Sequence, residues 1–206
     1  MVIEMKYIDI LMTNFPSLAK IKSEIEKSTE IIINAFRNGN KVLACGNGGS
    51  AADCEHIAGE LMKGFLLKRE LTDEDKIIFG KHADSLQYGL PCIPLTSFSA
   101  LSTAVINDNS ADMIFAQQVF VLGNKNDILI ALSTSGNSRN VVAAAEVAKN
   151  KGMKVISITG INESKLSDIS DITIRIPDTE TYRIQEFTLP VYHAMCADIE
   201  DYFYNK

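Results

Sequence analysis

His56 and Glu60 stand four residues apart in the run VLACGNGGSAADCEHIAGEL, Val42 to Leu61. On a helix that spacing puts them on one face. An imidazole beside a carboxylate supplies a proton acceptor and two groups able to hold a metal. Just ahead lies Gly46-Asn47-Gly48-Gly49-Ser50, after the apolar Val42–Cys45. This order predicts a buried strand, a glycine turn and a helix opened by Ser50. A helix N-terminus offers unpaired N–H groups and partial positive charge, which suit an anion. Gly48 and Gly49 lack the Cβ atoms that would hold a ligand off the backbone. Asn47, Gly48, Gly49 and Ser50 are therefore candidates for a phosphate-sized cradle. Gly46-x-Gly48-x-x-Ala51 also fits the dinucleotide fingerprint, but that site expects an acid at the end of the next strand. The next strand here ends in Thr96-Ser97, so no nucleotide cofactor is expected. The Gly-Lys-Ser/Thr of a Walker loop is absent. The plain alternative is tight strand–helix packing without a ligand, and an isolated His–Glu pair is usually a solvated surface pair.

A second cradle follows Asp127–Leu132, DILIAL, a predicted buried strand. The turn Ser133-Thr134-Ser135-Gly136-Asn137-Ser138 leads from it into a helix carrying Val141, Val142, Ala145 and Ala148. Its hydroxyls and N–H groups could make only a turn and an N-cap. Their place at the C-terminal end of a strand, where open α/β sheets bind ligands, favours an anion site at Ser133, Thr134, Ser135 and Ser138. The last predicted helix, Tyr182 to Tyr204, carries Gln185 and His193. Eight positions apart, they sit about 80° from each other on the helical wheel, so both could point to one site. Pro190 between them should kink or open the helix.

The elements that would position these groups alternate. Strands are expected at Val42–Cys45, Cys92–Thr96, Asp127–Leu132, Met153–Thr159 and, edge-like, Asp171–Ile176. Helical segments lie between them, including a short one at Leu101–Ile106 ending at Asn107-Asp108 and an amphipathic one at Ala111–Leu122. This predicts an α/β fold, a three-layer α/β/α sandwich around a mainly parallel sheet. Residues 1–38 read as an N-terminal helical pair, with Ile3, Tyr7, Ile10 and Leu11 on the first helix. Leu18, Ile21, Ile25, Ile32 and Phe36 form a stripe on the second. That stripe would cap the sheet or bury itself against another subunit. Residues 39–206 read as the α/β core of one domain spanning 1–206. The segment Leu66–Leu90 is charged, without sustained period and long for a connection, hence an excursion or a lid. Its His82 is expected to be solvated. The chain has 206 residues, 46% hydrophobic, enough for one sizeable core. A net charge of −6 argues against nucleic acid or an anionic membrane as partner. No apolar run approaches membrane-spanning length and the first residues do not look like a signal peptide. Cys45, Cys54, Cys92 and Cys196 lie in apolar contexts without a C-x-x-C pair, as reduced core residues of a cytoplasmic protein.

With CGNGGSAADCEHIAGEL, Asn107-Asp108, LSTSGNSRN and RIQEFTLPVYH in view, the sequence resembles the sugar isomerase (SIS) domain family, within it most closely the phosphoheptose isomerases. The resemblance implies the SIS fold and an aldose–ketose isomerase. It implies interconversion of sedoheptulose 7-phosphate and D-glycero-D-manno-heptose 7-phosphate through an enediol. It also implies a cytoplasmic homotetramer with sites at subunit interfaces. Substrate-binding positions carry over as Asn47, Gly48, Gly49, Ser50, Asn107, Asp108, Ser133, Thr134, Ser135, Ser138 and Gln185. Glu60 carries over as the base and His193 as the opposing acid/base. A Zn2+ site carries over as His56, Glu60, Gln185 and His193. Leu66–Leu90 is longer than the family's connection there, Tyr182 replaces a small or acidic residue, and Thr188 replaces a histidine. The rival readings are an isomerase of another sugar phosphate and a non-catalytic phosphosugar-binding regulator. Retention of Glu60 and His193 argues for the enzyme.

Overall fold

Short apolar runs between turn residues give strands that in the middle of the sheet are buried on both faces, the signature of a parallel sheet under helices. In the computed structural model, which describes residues 3–205, these runs form β1 (Val42–Cys45), β2 (Cys92–Pro94), β3 (Ile128–Leu132), β4 (Lys154–Thr159) and β5 (Ile172–Arg175). Met1 and Val2 of the expected first helix, and Lys206, lie outside the described residues. The sheet order is β2-β1-β3-β4-β5 and every pairing is parallel, so the mainly parallel sheet is wholly so among the described residues. β5 is an edge strand, as its mixed sequence suggested.

Alternate side chains feed two cores. Val42, Ala44, Ile128, Ile130, Ile156 and Ile174 face α1 (Lys6–Asn14), α2 (Lys22–Arg37), α3 (Gly49–Met62) and α9 (Thr181–Tyr204). Leu43, Cys45, Leu129, Ala131 and Val155 face α6 (Ile114–Leu122), α7 (Arg139–Asn150) and α8 (Lys165–Ile169). The chain leaves β1 on one side towards β2 and returns on the other as β3. The ends of β1 and β3 are therefore neighbours at a switch point, where such sheets form their crevice.

Several local expectations differ. The second helix begins as a 3₁₀ turn over Pro16–Ile21, because Pro16 cannot extend the first helix but is favoured at a new start. Leu18, Ile21, Ile25, Ile32 and Phe36 are all buried in the chain's own core, which settles the stripe as a cap on the sheet. Helix α3 begins at Gly49, with Gly48 at the cap position and Ser50 buried inside the first turn. α5 runs Ser99–Asp108, so Asn107 and Asp108 end that helix from within. α9 runs through Pro190 without a break. The segment 66–90 contains α4 (Asp73–Phe79) and a 3₁₀ turn, Gly80–Ser85; His82 on that turn is exposed. Among the described residues no helix is long and apolar enough to cross a membrane.

Candidate active site

The two predicted turns stand side by side. Asn47 and Asn140 exchange two amide hydrogen bonds, each 2.9 Å, and so tie the turn after β1 to the start of α7. Gly48 has φ +58°, a conformation that a side chain would strain. A Cβ on Gly49 would stand 2.9 Å from Nε2 of Gln185 and push that amide aside, so the bare glycine lets it lie on the turn. No side chain caps α3 or α7, which leaves their leading N–H groups for a ligand. Ser138 occupies the cap position of α7, but its hydroxyl bonds Ser133 Oγ at 3.0 Å instead. Ser135 Oγ accepts the Asn137 N–H. Thr134 and Ser135 open onto a cleft of about 390 Å³ shared with Gly160, Asp178 and Ile184.

Farther along α3, His56 and Glu60 meet a residue from α9. His56 Nε2 lies 2.9 Å from Glu60 Oε1 and 3.4 Å from His193 Nε2. Donor atoms of the three residues all lie within 4.8 Å of one another. Two imidazole nitrogens and a carboxylate oxygen match the ligand types and number of a catalytic zinc site, which keeps its fourth position open. Glu60 keeps a second oxygen away from the histidines, 3.4 Å from Lys63 Nζ. Burial pushes the pKa of His193 down, and neighbouring His56 adds to this, while Glu60 opposes both. His193 also lines an apolar pocket of about 210 Å³ with Tyr7, Phe15, Phe65 and Pro190.

Among the expected site residues, Asn47, Gly48, Gly49, Ser50 and Gln185 gather at the first turn. Ser133, Thr134, Ser135 and Ser138 gather at the second, and His56, Glu60 and His193 form the donor cluster. Gln185 makes no hydrogen bond to that cluster among the described residues; its amide lies against Gly49. Asn107 and Asp108 are exposed on α5, bonded to each other at 2.7 Å and to none of the other candidates.

Sequence reasoning missed the groups that hold the cluster. Tyr192, beside His193, reaches Asp53 and His56. Arg69, from the long connection, donates to the backbone carbonyls of Glu60 and Leu61 and to the Glu200 carboxylate on α9. Tyr192 carries no spacing signal because its partners lie more than a hundred residues away, and Arg69 carries none because its nearby partners are backbone carbonyls and its carboxylate partner is 131 residues away. Asp53, three residues before His56, was within reach of a helical-face argument.

Residues 7–160 match the family model described as SIS domain. A phosphoheptose isomerase from Helicobacter pylori (strain P12) is 38% identical over 190 residues, 92% of this chain and 90% of that protein. Two solved structures are similar. One is of a phosphoheptose isomerase from Francisella tularensis, with TM-score 0.75 and 31% identity, covering 94% of this chain and 97% of that one. The other is of a phosphoheptose isomerase from Neisseria gonorrhoeae, with TM-score 0.70 and 32% identity, covering 94% and 98%.

Proposed function

The chain belongs to the SIS domain family, and from that membership we propose that it is a phosphoheptose isomerase. It interconverts sedoheptulose 7-phosphate and D-glycero-D-manno-heptose 7-phosphate. The observation that carries the reading is the meeting of His56, Glu60 and His193 from two helices, beside two uncapped helix starts at the crevice of the sheet. The cradle of Ser133, Thr134, Ser135 and Ser138 takes the phosphate. Asn47, Gly48, Gly49, Ser50 and Gln185 line the sugar's path. A net charge of −6 leaves hydroxyl and N–H donors to hold the anion.

Aldose–ketose exchange moves a proton between adjacent carbons and another between their oxygens. Glu60 takes the carbon-bound proton and returns it to the neighbouring carbon. His193, whose neutral form burial favours, relays the proton between the two oxygens. Zinc held by His56, Glu60 and His193 would stabilise the negative charge that develops on the enediol oxygen. Glu60 Oε1 faces the histidines while Oε2 has only a long contact, 3.4 Å, with the exposed Lys63 ammonium, so the two oxygens can divide the roles of ligand and base.

The working form is a homotetramer in the cytoplasm. Helix α5 has no buried residue yet carries Leu101, Ile106, Asn107 and Asp108, which suits a surface that completes a neighbouring copy's site. Cys45, Cys54, Cys92 and Cys196 are buried free thiols, and burial pushes Cys45 and Cys92 up to about 12, which suits a reducing compartment. Light scattering at micromolar concentration should give four chains; a monomer would remove the assembly. The decisive assay is turnover of a panel of ketose phosphates by purified protein, with and without chelator. Sedoheptulose 7-phosphate should be turned over fastest, and chelation should abolish it. Tight binding of a phosphosugar without turnover would transfer the protein to the regulatory class.

A further inference from the structure

The helices that carry the two turns share no core. Helix α3 packs into the core on one face of the sheet and α7 into the core on the other. Their N-terminal ends come together where the turns leave neighbouring strands, after Cys45 of β1 and Leu132 of β3. There the amides of Asn47 and Asn140 span the gap with two bonds of 2.9 Å. Among the described residues no other hydrogen bond joins residues 46–50 to residues 133–140.

The pair has one order of donors and acceptors. The Val141 N–H can only donate, and it meets one amide atom of Asn140 at 3.0 Å, so that atom is the oxygen. The same oxygen takes a hydrogen from Asn47 Nδ2, which leaves the Asn140 nitrogen to donate to Asn47 Oδ1. Two bonds closing one ring fix distance and angle together, where a single bond would leave a hinge. Asn140 is braced on its own helix by Val141, and Asn47 takes its place from Asn140. The neighbours Gly48 and Gly49 have no side chains with which to hold the turn. A phosphosugar would meet both turns at once, with its phosphate at Ser133–Ser138 and its sugar beside Gly48 and Gly49. The separation of the turns then sets whether the reacting carbons reach Glu60 when the phosphate is seated. We propose that Asn47 and Asn140 are positioning residues, a clasp that holds the glycine turn of α3 at a fixed distance from the phosphate cradle of α7. The substrate in this inference rests on the isomerase reading; the clasp is a property of the chain alone.

The test uses the full chain and two probes. Sedoheptulose 7-phosphate spans both turns, whereas inorganic phosphate, as a competitive inhibitor, needs the cradle alone. Asn47→Ala and Asn140→Ala break the same pair from opposite sides, and only the second disturbs the bond to Val141. Each should lower kcat/KM for sedoheptulose 7-phosphate about 10- to 100-fold, mostly through kcat, the scale of a misplaced substrate. The inhibition constant of phosphate should stay unchanged, and the double variant should be no worse than the worse single one. Costs that multiply in the double variant overturn the clasp, because each residue would then act by itself. Unchanged kcat/KM in either single variant overturns it too, as does phosphate inhibition that weakens in step with turnover. Amide hydrogen exchange read by NMR judges the clasp apart from activity. The Asn47 side-chain amide should exchange more slowly in the wild type than in Asn140→Ala, and equal rates overturn the clasp whatever the kinetics. Slower exchange in a wild type that turns over no phosphosugar would uphold the clasp and refute the isomerase reading.

Discussion

Glu60 is one of the less exposed charged groups of the crevice, its side chain 13% exposed beside a His56 side chain that is 42% exposed. A partly desolvated carboxylate within reach of an imidazole fits the proposed role of proton carrier. Glu60→Gln keeps the size and a ligand oxygen but cannot take a proton, so turnover should fall by about 10² to 10⁴. His193→Asn should cost a similar factor, and the double variant should be little worse than the worse single one if both act in one step. Phosphosugar affinity should survive in all three, because the proposed phosphate donors belong to another turn; turnover and calorimetry on the same samples check this. Conversely, Ser135→Ala with Ser138→Ala should weaken phosphosugar binding by about 1–3 kcal/mol, and unchanged affinity would move the phosphate elsewhere. His56 and Glu60 were legible because their spacing is local. His193 was legible through the helical wheel and the family resemblance. Tyr192 and Asn140 were not, since their partners lie across the fold and nothing in their spacing marks them.

At the scale of elements, the crevice depends on how α3 and α9 are held together. Arg69 and Glu200 do this from a buried position, with side chains 0% and 1% exposed and an Nε–Oε1 distance of 2.8 Å. Glu200 also accepts the N–H groups of Phe65, Leu66 and Leu67, while Arg69 closes the C-terminal end of α3 and lies over the ring of Tyr204. Removing one partner of such a pair leaves an uncompensated buried charge. Arg69→Met should therefore cost about 3–5 kcal/mol in urea unfolding. It should lower turnover more than phosphate affinity, because α3 carries Glu60 and α9 carries His193. A variant of wild-type stability would show that the pair is dispensable. This arrangement also explains why residues 66–90 resisted reading. Much of their order comes from pairing with Glu200 on α9, 131 residues from Arg69, and a periodicity argument sees only neighbours. The strands, by contrast, were legible to within a residue or two, since the apolar runs of β1, β3 and β4 are buried on both faces. The second helix start was not, because Leu18 and Ile21 fit an α-helical stripe equally well when carried on a 3₁₀ turn.

In the whole molecule the two ends of the sheet do different work. The C-terminal end holds the turns and the donor cluster, and the N-terminal end is stitched by carboxylates. Asp127, ahead of β3, accepts from the Lys41 N–H and ammonium and from the Asn124 N–H. Asp171, ahead of β5, accepts from the Val155 N–H and from Lys149 and Lys154. Burial works against both carboxylates, but these bonds outweigh it and hold both below their ordinary pKa. A depressed folded-state pKa means that the unfolded chain binds protons first as pH falls. This stability is present above about pH 4, the unfolded value, and is lost as pH drops through the folded value. Asp198 acts in the opposite sense. Burial raises it to about 6, although the N–H groups of Tyr7 and Ile8 at the start of α1 pull it back. For a raised acid, the unfolded chain loses its proton first as pH rises. Its contribution is complete below about pH 4 and declines towards pH 6, where the folded group also ionises. The two windows do not overlap, so urea midpoints measured from pH 2 to 8 can separate them. Asp127→Asn or Asp171→Asn should lower stability at pH 7 by about 1.5–3 kcal/mol, the worth of bonds to a charged group, and flatten the limb below about pH 4. Asp198→Asn should leave that acid limb in place and remove the decline between about pH 4 and 6. An acid limb of full slope in the Asp127 and Asp171 variants would mean that the sheet's N-terminal edge is not held by these carboxylates.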